Sequence, residues 1–295
     1  MKTMKELVRR RWAGAVAGLA VGIMCVVLGP LPSLGQELKA VATGDRTMTA
    51  ANSSNSPSDA KTGPSASVIP AGTILPVILR TAIAADKVKL GQTIRGEIAQ
   101  EVPLVGGARI PKGSRVEGQV LEVVSAGSGG SAKVSVRFDK VYSRGQTIPV
   151  ITDLRAIAGF MDVQQAGLPD ETPGEGDVAQ WSTTTQIGGD SVYGAYGPVM
   201  SARDTSQVVG KAVSDGVLVE VRAKEGTKCR GAIKENHNLQ AMWVFSSDAC
   251  GVYGISNVNI EHAGRTEPVG TIVLEMQRRS AEVRSASGML LRVIG

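Results

Sequence analysis

The stretch Ala132-Lys-Val-Ser-Val-Arg-Phe-Asp139 alternates apolar and polar side chains without a break. Successive side chains of an extended chain point to opposite faces, so Val134, Val136 and Phe138 share one buried face while Lys133, Ser135 and Arg137 face water. The same two-residue period recurs on both sides of this run. In Thr93–Val102, Ile94, Ile98 and Val102 point inward and Arg95, Glu97 and Glu101 outward; in Ser114–Val124, Val116 and Val120 point inward and Arg115, Glu117 and Gln119 outward. Further on, Gly216–Arg222 alternates through Val217, Val219 and Val221, and the apolar runs Gln240–Ser246, Gly270–Gln277 and Gly288–Ile294 read as strands. Glycine-bearing turn signals separate the earlier runs, at Val105-Gly-Gly107, Pro111-Lys-Gly113, Gly127-Ser-Gly-Gly130 and Ser143-Arg-Gly-Gln146. Short strands at such spacing predict a mostly β chain, folded as a barrel or a sandwich.

Composition agrees. Of 295 residues, 42% are hydrophobic, enough for a sizeable core, while 36 glycines and a charged fraction of 20% argue against a coiled coil or helical bundle. No segment carries a sustained 3.6-residue apolar face. The glycines have no triplet period, which excludes collagen.

The N-terminus reads as a targeting signal. Lys2, Lys5, Arg9, Arg10 and Arg11 precede an uncharged run from Trp12 to Gly35 that is broken by Pro30 and Pro32. Ser33-Leu34-Gly35 offers small residues where a signal peptidase needs them, so cleavage after Gly35 is expected, which places the protein in the periplasm or outside the cell. The alternative is retention as an inner-membrane anchor, since the uncharged run is long enough for a bilayer core of about 30 Å. Residues 1–35 hold five basic residues and one acid, and so account for most of the net charge of +5. The remainder has no basic stripe interleaved with aromatics, and nucleic-acid binding loses its electrostatic basis. Residues 36–67, rich in Ser, Thr, Ala and Asn, have little apolar surface to bury and are expected to form a disordered linker.

Two cysteines follow the leader, Cys229 and Cys250, with 20 residues between them. In an exported chain such a pair is expected to form one disulfide. The competing metal site with His237 and His262 lacks ligand spacing. Those two histidines are the only ones in the chain, and neither neighbours a nucleophile elbow. No catalytic residue, metal ligand or cofactor loop is expected. The carboxylates of Leu168–Asp177 lie in a Pro/Gly-rich loop too yielding for acid–base chemistry, and Gly127–Gly130 and Gly188-Gly189 lack the residues of a phosphate loop. Trp181, Tyr193 and Tyr196 concentrate scarce aromatics within 16 residues and are candidates for contact with a partner protein or a glycan, with packing into the fold as the competing reading. The expected organisation is a signal or anchor over 1–35, a linker over 36–67, a barrel-like domain over 68–158, a Gly/Pro-rich excursion over 159–207 and a disulfide-stapled β unit over 208–295.

Three motifs occur in order. Ile69-Pro-Ala-Gly-Thr73 opens a strand, Gln100-Glu-Val102 closes the next, and Ile110-Pro-Lys-Gly-Ser-Arg115 turns into a third. Residues 68–155 thereby resemble the β-barrel domain of the TrbI-like conjugal-transfer scaffold family of type IV secretion systems. The chain departs from that family in lacking its longer Pro-rich spacer and the helical insertion within the barrel, and residues 208–295 do not resemble the family's ending. The resemblance implies a barrel in the cell envelope and a non-enzymatic scaffold role through contacts with other envelope proteins or further copies of the chain. A secreted glycan-binding or adhesion module is the alternative.

Overall fold

The computed structural model describes residues 68–126, 130–170, 182–224, 238–263, 268–278 and 280–295. The leader, the linker, Trp181, Cys229 and His237 lie outside the described residues. All described residues belong to one compact unit, 59–295.

The expected alternation builds the first strands. β1 (Ile74–Leu79) leads through the short β2 (Ile83–Ala84) to β3 (Thr93–Ile98), in which Ile94 and Ile98 are buried. The pair β4 (Val102–Pro103) and β5 (Arg109–Ile110) forms a small ribbon, followed by β6 (Arg115–Val124) and β7 (Ala132–Ser143). β8 (Gln146–Pro149) folds back on β7, and β9 (Thr152–Ala158) ends at α1 (Phe160–Gln165). Six strands then form a second, antiparallel sheet in chain order: β10 (Thr183–Thr185), β11 (Ser191–Tyr193), β12 (Pro198–Met200), β13 (Val208–Val213), β14 (Gly216–Val219) and β15 (Gln240–Ala241). The chain returns to the first sheet with β16 (Gly251–Tyr253), β17 (Val258–Glu261), β18 (Ile272–Met276) and β20 (Gly288–Val293), while β19 (Glu282–Val283) pairs with β2.

The first sheet runs β16-β9-β20-β1-β3-β6-β7-β18-β17, with β8 attached to β7. Its two ends, β16 and β17, lie side by side, so the sheet is a nearly closed barrel. Every pairing is antiparallel except β16 on β9. Closure needs local curvature, which one-residue bulges supply. Leu121 and Asp139 are the extra residues where the β6–β7 register slips, and Arg155 is the extra residue of β9 against β20. At Gly118 a side chain would collide with the backbone of Arg137 and Phe138, so the glycine lets the two strands meet at the bend.

Two motifs of the resemblance form the same turn. In Pro70–Thr73 and Pro111–Ser114 the last N–H donates to the proline carbonyl, at 3.2 Å in both, with Gly72 (φ 91) and Gly113 (φ 80) in the left-handed region that favours glycine.

Two apolar cores result. The barrel interior is filled by Leu75, Val77, Leu79, Ile94, Val116, Phe138, Leu154, Leu274 and Leu291, among others. The second core lies between the outer face of β1, β9 and β20 and the six-stranded sheet, where Ile74, Ala156, Ala158 and Leu290 meet Val192, Val199, Val209, Val217 and Val219. Those three barrel strands are thus buried on both faces.

Three expectations need correction. Residues 240–246 do not form a strand: after the two residues of β15 the chain turns, with Trp243 at φ 53. Residues 159–207 are more than a Gly/Pro-rich excursion, because the described part of them supplies α1 and β10–β12. The strands do not divide as a 68–158 unit and a 208–295 unit either. β16, β17, β18 and β20 complete the barrel begun by β1, so the last strand lies between β9 and β1, and only β10–β15 stand apart as a covering layer.

Candidate functional site

The covering sheet presents its outer face to water. Because Val192 and Val199 point into the second core, their neighbours Ser191, Tyr193, Pro198 and Met200 point outward. Met200 pairs across to the exposed Val208. The β11–β12 turn carries Tyr196 with 75% of its surface exposed, beside Tyr193 at 47%. Backbone bonds hold this turn: Gly194 N donates to Ser182 O at 2.8 Å, and Ala212 N donates to Gly197 O at 2.9 Å. A side chain at Gly197 would strike the Tyr193 carbonyl, so only glycine fits this turn. The structure therefore places two of the three expected aromatics on one exposed, hydrogen-bonded hairpin. Tyr and exposed aliphatic side chains on a fixed backbone offer contact area at low ordering cost.

Beneath this face lies a set of buried polar groups that the sequence does not announce. Asp190, 1% exposed, accepts bonds from Ser247 N (2.8 Å), Ser247 Oγ (2.7 Å) and Ala202 N (2.9 Å). Asp248 takes both Nε and Nη2 of Arg203 at 3.1 and 2.9 Å and a bond from Ser246 Oγ. Gln100, from the second motif of the resemblance, donates to Val217 O at 3.0 Å and accepts from Trp243 N at 2.6 Å. It thus ties the barrel to the cover and holds the Trp243 turn. Arg155, placed by its bulge, is 3% exposed and donates to Arg222 O at 2.6 Å. Burial, aided by nearby Arg292, pushes its guanidinium down to about 10 against the pull of Asp248 and Tyr253, so it stays charged at neutral pH. Apart from Arg155 Nε, which is buried without a partner, these contacts are made within the fold, as is usual for buried polar groups.

Cys250 is 6% exposed, and its backbone N–H donates to Tyr253 Oη at 3.0 Å. The expected pairing with Cys229 falls outside the described residues, as does Trp181. His262 follows β17 at φ 57, with Nε2 3.7 Å from Glu261. Among the described residues no group of three metal-ligating side chains gathers, and no helix is long and apolar enough to cross a membrane. No protein-family model, curated protein or solved structure matches the chain.

Proposed function

We propose that this is a non-enzymatic protein of the cell envelope, exported from the cytoplasm, that works by binding other envelope proteins in the manner of a type IV secretion scaffold component. The observation that carries the reading is the outward face of the covering sheet. Tyr193, Tyr196, Pro198 and Val208 stand in water there beside a half-buried Met200, while the opposite face of the same strands is sealed against the barrel. A filled barrel fixes that face rigidly, which is what a docking surface needs. The signal-like N-terminus and the likeness of residues 68–155 to the conjugal-transfer barrel support the location and the role.

Site-specific photocrosslinking from position 196 in the native envelope should capture one defined partner. The double substitution Tyr193→Ala, Tyr196→Ala should weaken that capture at least tenfold, the loss of one to two interface anchors, with unchanged melting. Recovery of uncrosslinked monomer alone would overturn the reading. Saccharide competition for the same face would instead favour the glycan-binding alternative, in which exposed tyrosines stack on sugar rings.

The Cys229–Cys250 disulfide belongs to the same proposal, because it requires an oxidising compartment. Protein recovered from the periplasm should show two cysteines blocked to alkylation until reduced. Reduction should lower stability by roughly 3 kcal/mol, the loop-closure contribution for a ring of this size. Two freely alkylated thiols in native protein would count against export.

A further inference from the structure

Where the barrel nearly closes, a cleft of about 350 Å³ opens between three segments: the start of α1 (Gly159, Phe160, Met161), the β16–β17 loop (Gly254–Asn257) and the stretch around β19 (Ser280–Arg284) with Ser287. It is remote in sequence from the tyrosine hairpin and independent of the function proposed above. Its lining combines a half-buried aromatic ring, Phe160, with neutral hydrogen-bonding side chains, Ser256, Asn257, Ser280 and Ser287. Of these, Ser287 is 1% exposed, and its Oγ has no hydrogen-bond partner. A buried hydroxyl left unpaired is destabilising, and a native protein that keeps one calls for an explanation.

The charges at the cleft largely cancel. Glu282 pairs with Lys87 at 3.3 Å, the Asp162 carboxylate lies against Gly254, and Arg284 extends into solvent. A strongly anionic or cationic ligand therefore finds no matching field, whereas a neutral ligand rich in hydroxyls finds donors and acceptors beside a ring it can stack on. The space suits one or two sugar rings, at the lower end of ordinary ligand sites.

We infer that this cleft is a saccharide-binding site, with Phe160 as the stacking platform, Asn257 as a hydrogen-bonding group in its wall, the exposed Arg284 swinging in from the rim, and Ser287 turning its buried hydroxyl to complete its bond only when the ligand or a ligand-held water is present.

The test is titration of the isotope-labelled protein with cellobiose and with the N-acetylglucosamine disaccharide, followed by amide chemical shifts. Millimolar or tighter binding should move resonances of 254–257 and 280–287 and leave 191–200 unmoved. Phe160→Ala should weaken binding at least tenfold, as removal of a stacking ring does elsewhere. Ser287→Ala should weaken it roughly fivefold while leaving the melting temperature equal or higher, because the substitution removes an unpaired buried hydroxyl. A purely structural serine would instead leave affinity unchanged. Absence of shifts in the two cleft segments with both sugars, or shifts that persist unchanged in Phe160→Ala, would overturn the assignment.

Discussion

Replacing Asp190 with alanine should cost about 4 kcal/mol and lower the melting temperature by roughly 10 °C. The carboxylate accepts three bonds from Ser247 and Ala202, and both Asp190 and Ser247 are 1% exposed. Alanine leaves the Ser247 N–H and hydroxyl buried with no acceptor, and the penalty for stranding such donors exceeds the net worth of the bonds themselves. Asparagine keeps one acceptor oxygen and should recover about half of the loss. The check is chemical denaturation of the two variants. An alanine variant within about 1 kcal/mol of the native protein would mean that water reaches Ser247 and that this part of the cover is not sealed.

Phe138→Ala should be of similar size, about 3–5 kcal/mol, for a different reason. The ring is fully buried in the barrel, on the strand opposite Gly118, where the sheet bends. No neighbouring backbone can collapse into the void without undoing the bend. Phe138→Leu, which keeps most of the volume, should cost about 1.5 kcal/mol or less. Asp190 braces the cover and Phe138 fills the barrel, so the two tests bear on different cores. Both variants should nonetheless melt in one transition, because β1, β9 and β20 contribute to each core. A first transition confined to the cover in Asp190→Ala would show that the layers unfold separately.

Burial decides which elements the sequence reveals. Strands buried mainly on one face were legible: Ile94 and Ile98 alternate with Arg95 and Glu97, and Phe138 lies between Arg137 and Asp139, because water lies on the other side, although Ser135 between Val134 and Val136 is itself buried. β9 was not, because both its faces are covered and its polar residues, Asp153 and Arg155, are buried rather than exposed. The run Met242–Ser246 looked like a strand for the opposite reason. Its apolar side chains are buried, but in a turn that Gln100 pins from 143 positions away, and no local pattern reports such a bond. The first strands of the cover are three residues each, Thr-Thr-Thr, Ser-Val-Tyr and Pro-Val-Met, with one buried valine each in β11 and β12, too few for a period to emerge.

Of the candidate contacts, Tyr193 and Tyr196 could be found because aromatics are scarce in this chain, which makes a cluster visible. That they stand in water could not be read from the sequence, since the same cluster would look alike packed inside. The braces at Asp190, Asp248 and Arg155 were missed because a buried acid or arginine has the same letter as a solvated one. Only the pairing of distant segments distinguishes them.

The seating of the last strand has a consequence for how the molecule comes into being. Gly288–Val293 hydrogen-bonds to β9 on one side and β1 on the other, and Ile294 and Gly295 bond back to Ile151. Until these residues have left the ribosome, two apolar strands, β1 and β9, keep edges that no other strand among the described residues covers, and such edges invite joining to other chains. Native topology is therefore gained in a late, slow step governed by contacts more than 200 positions apart.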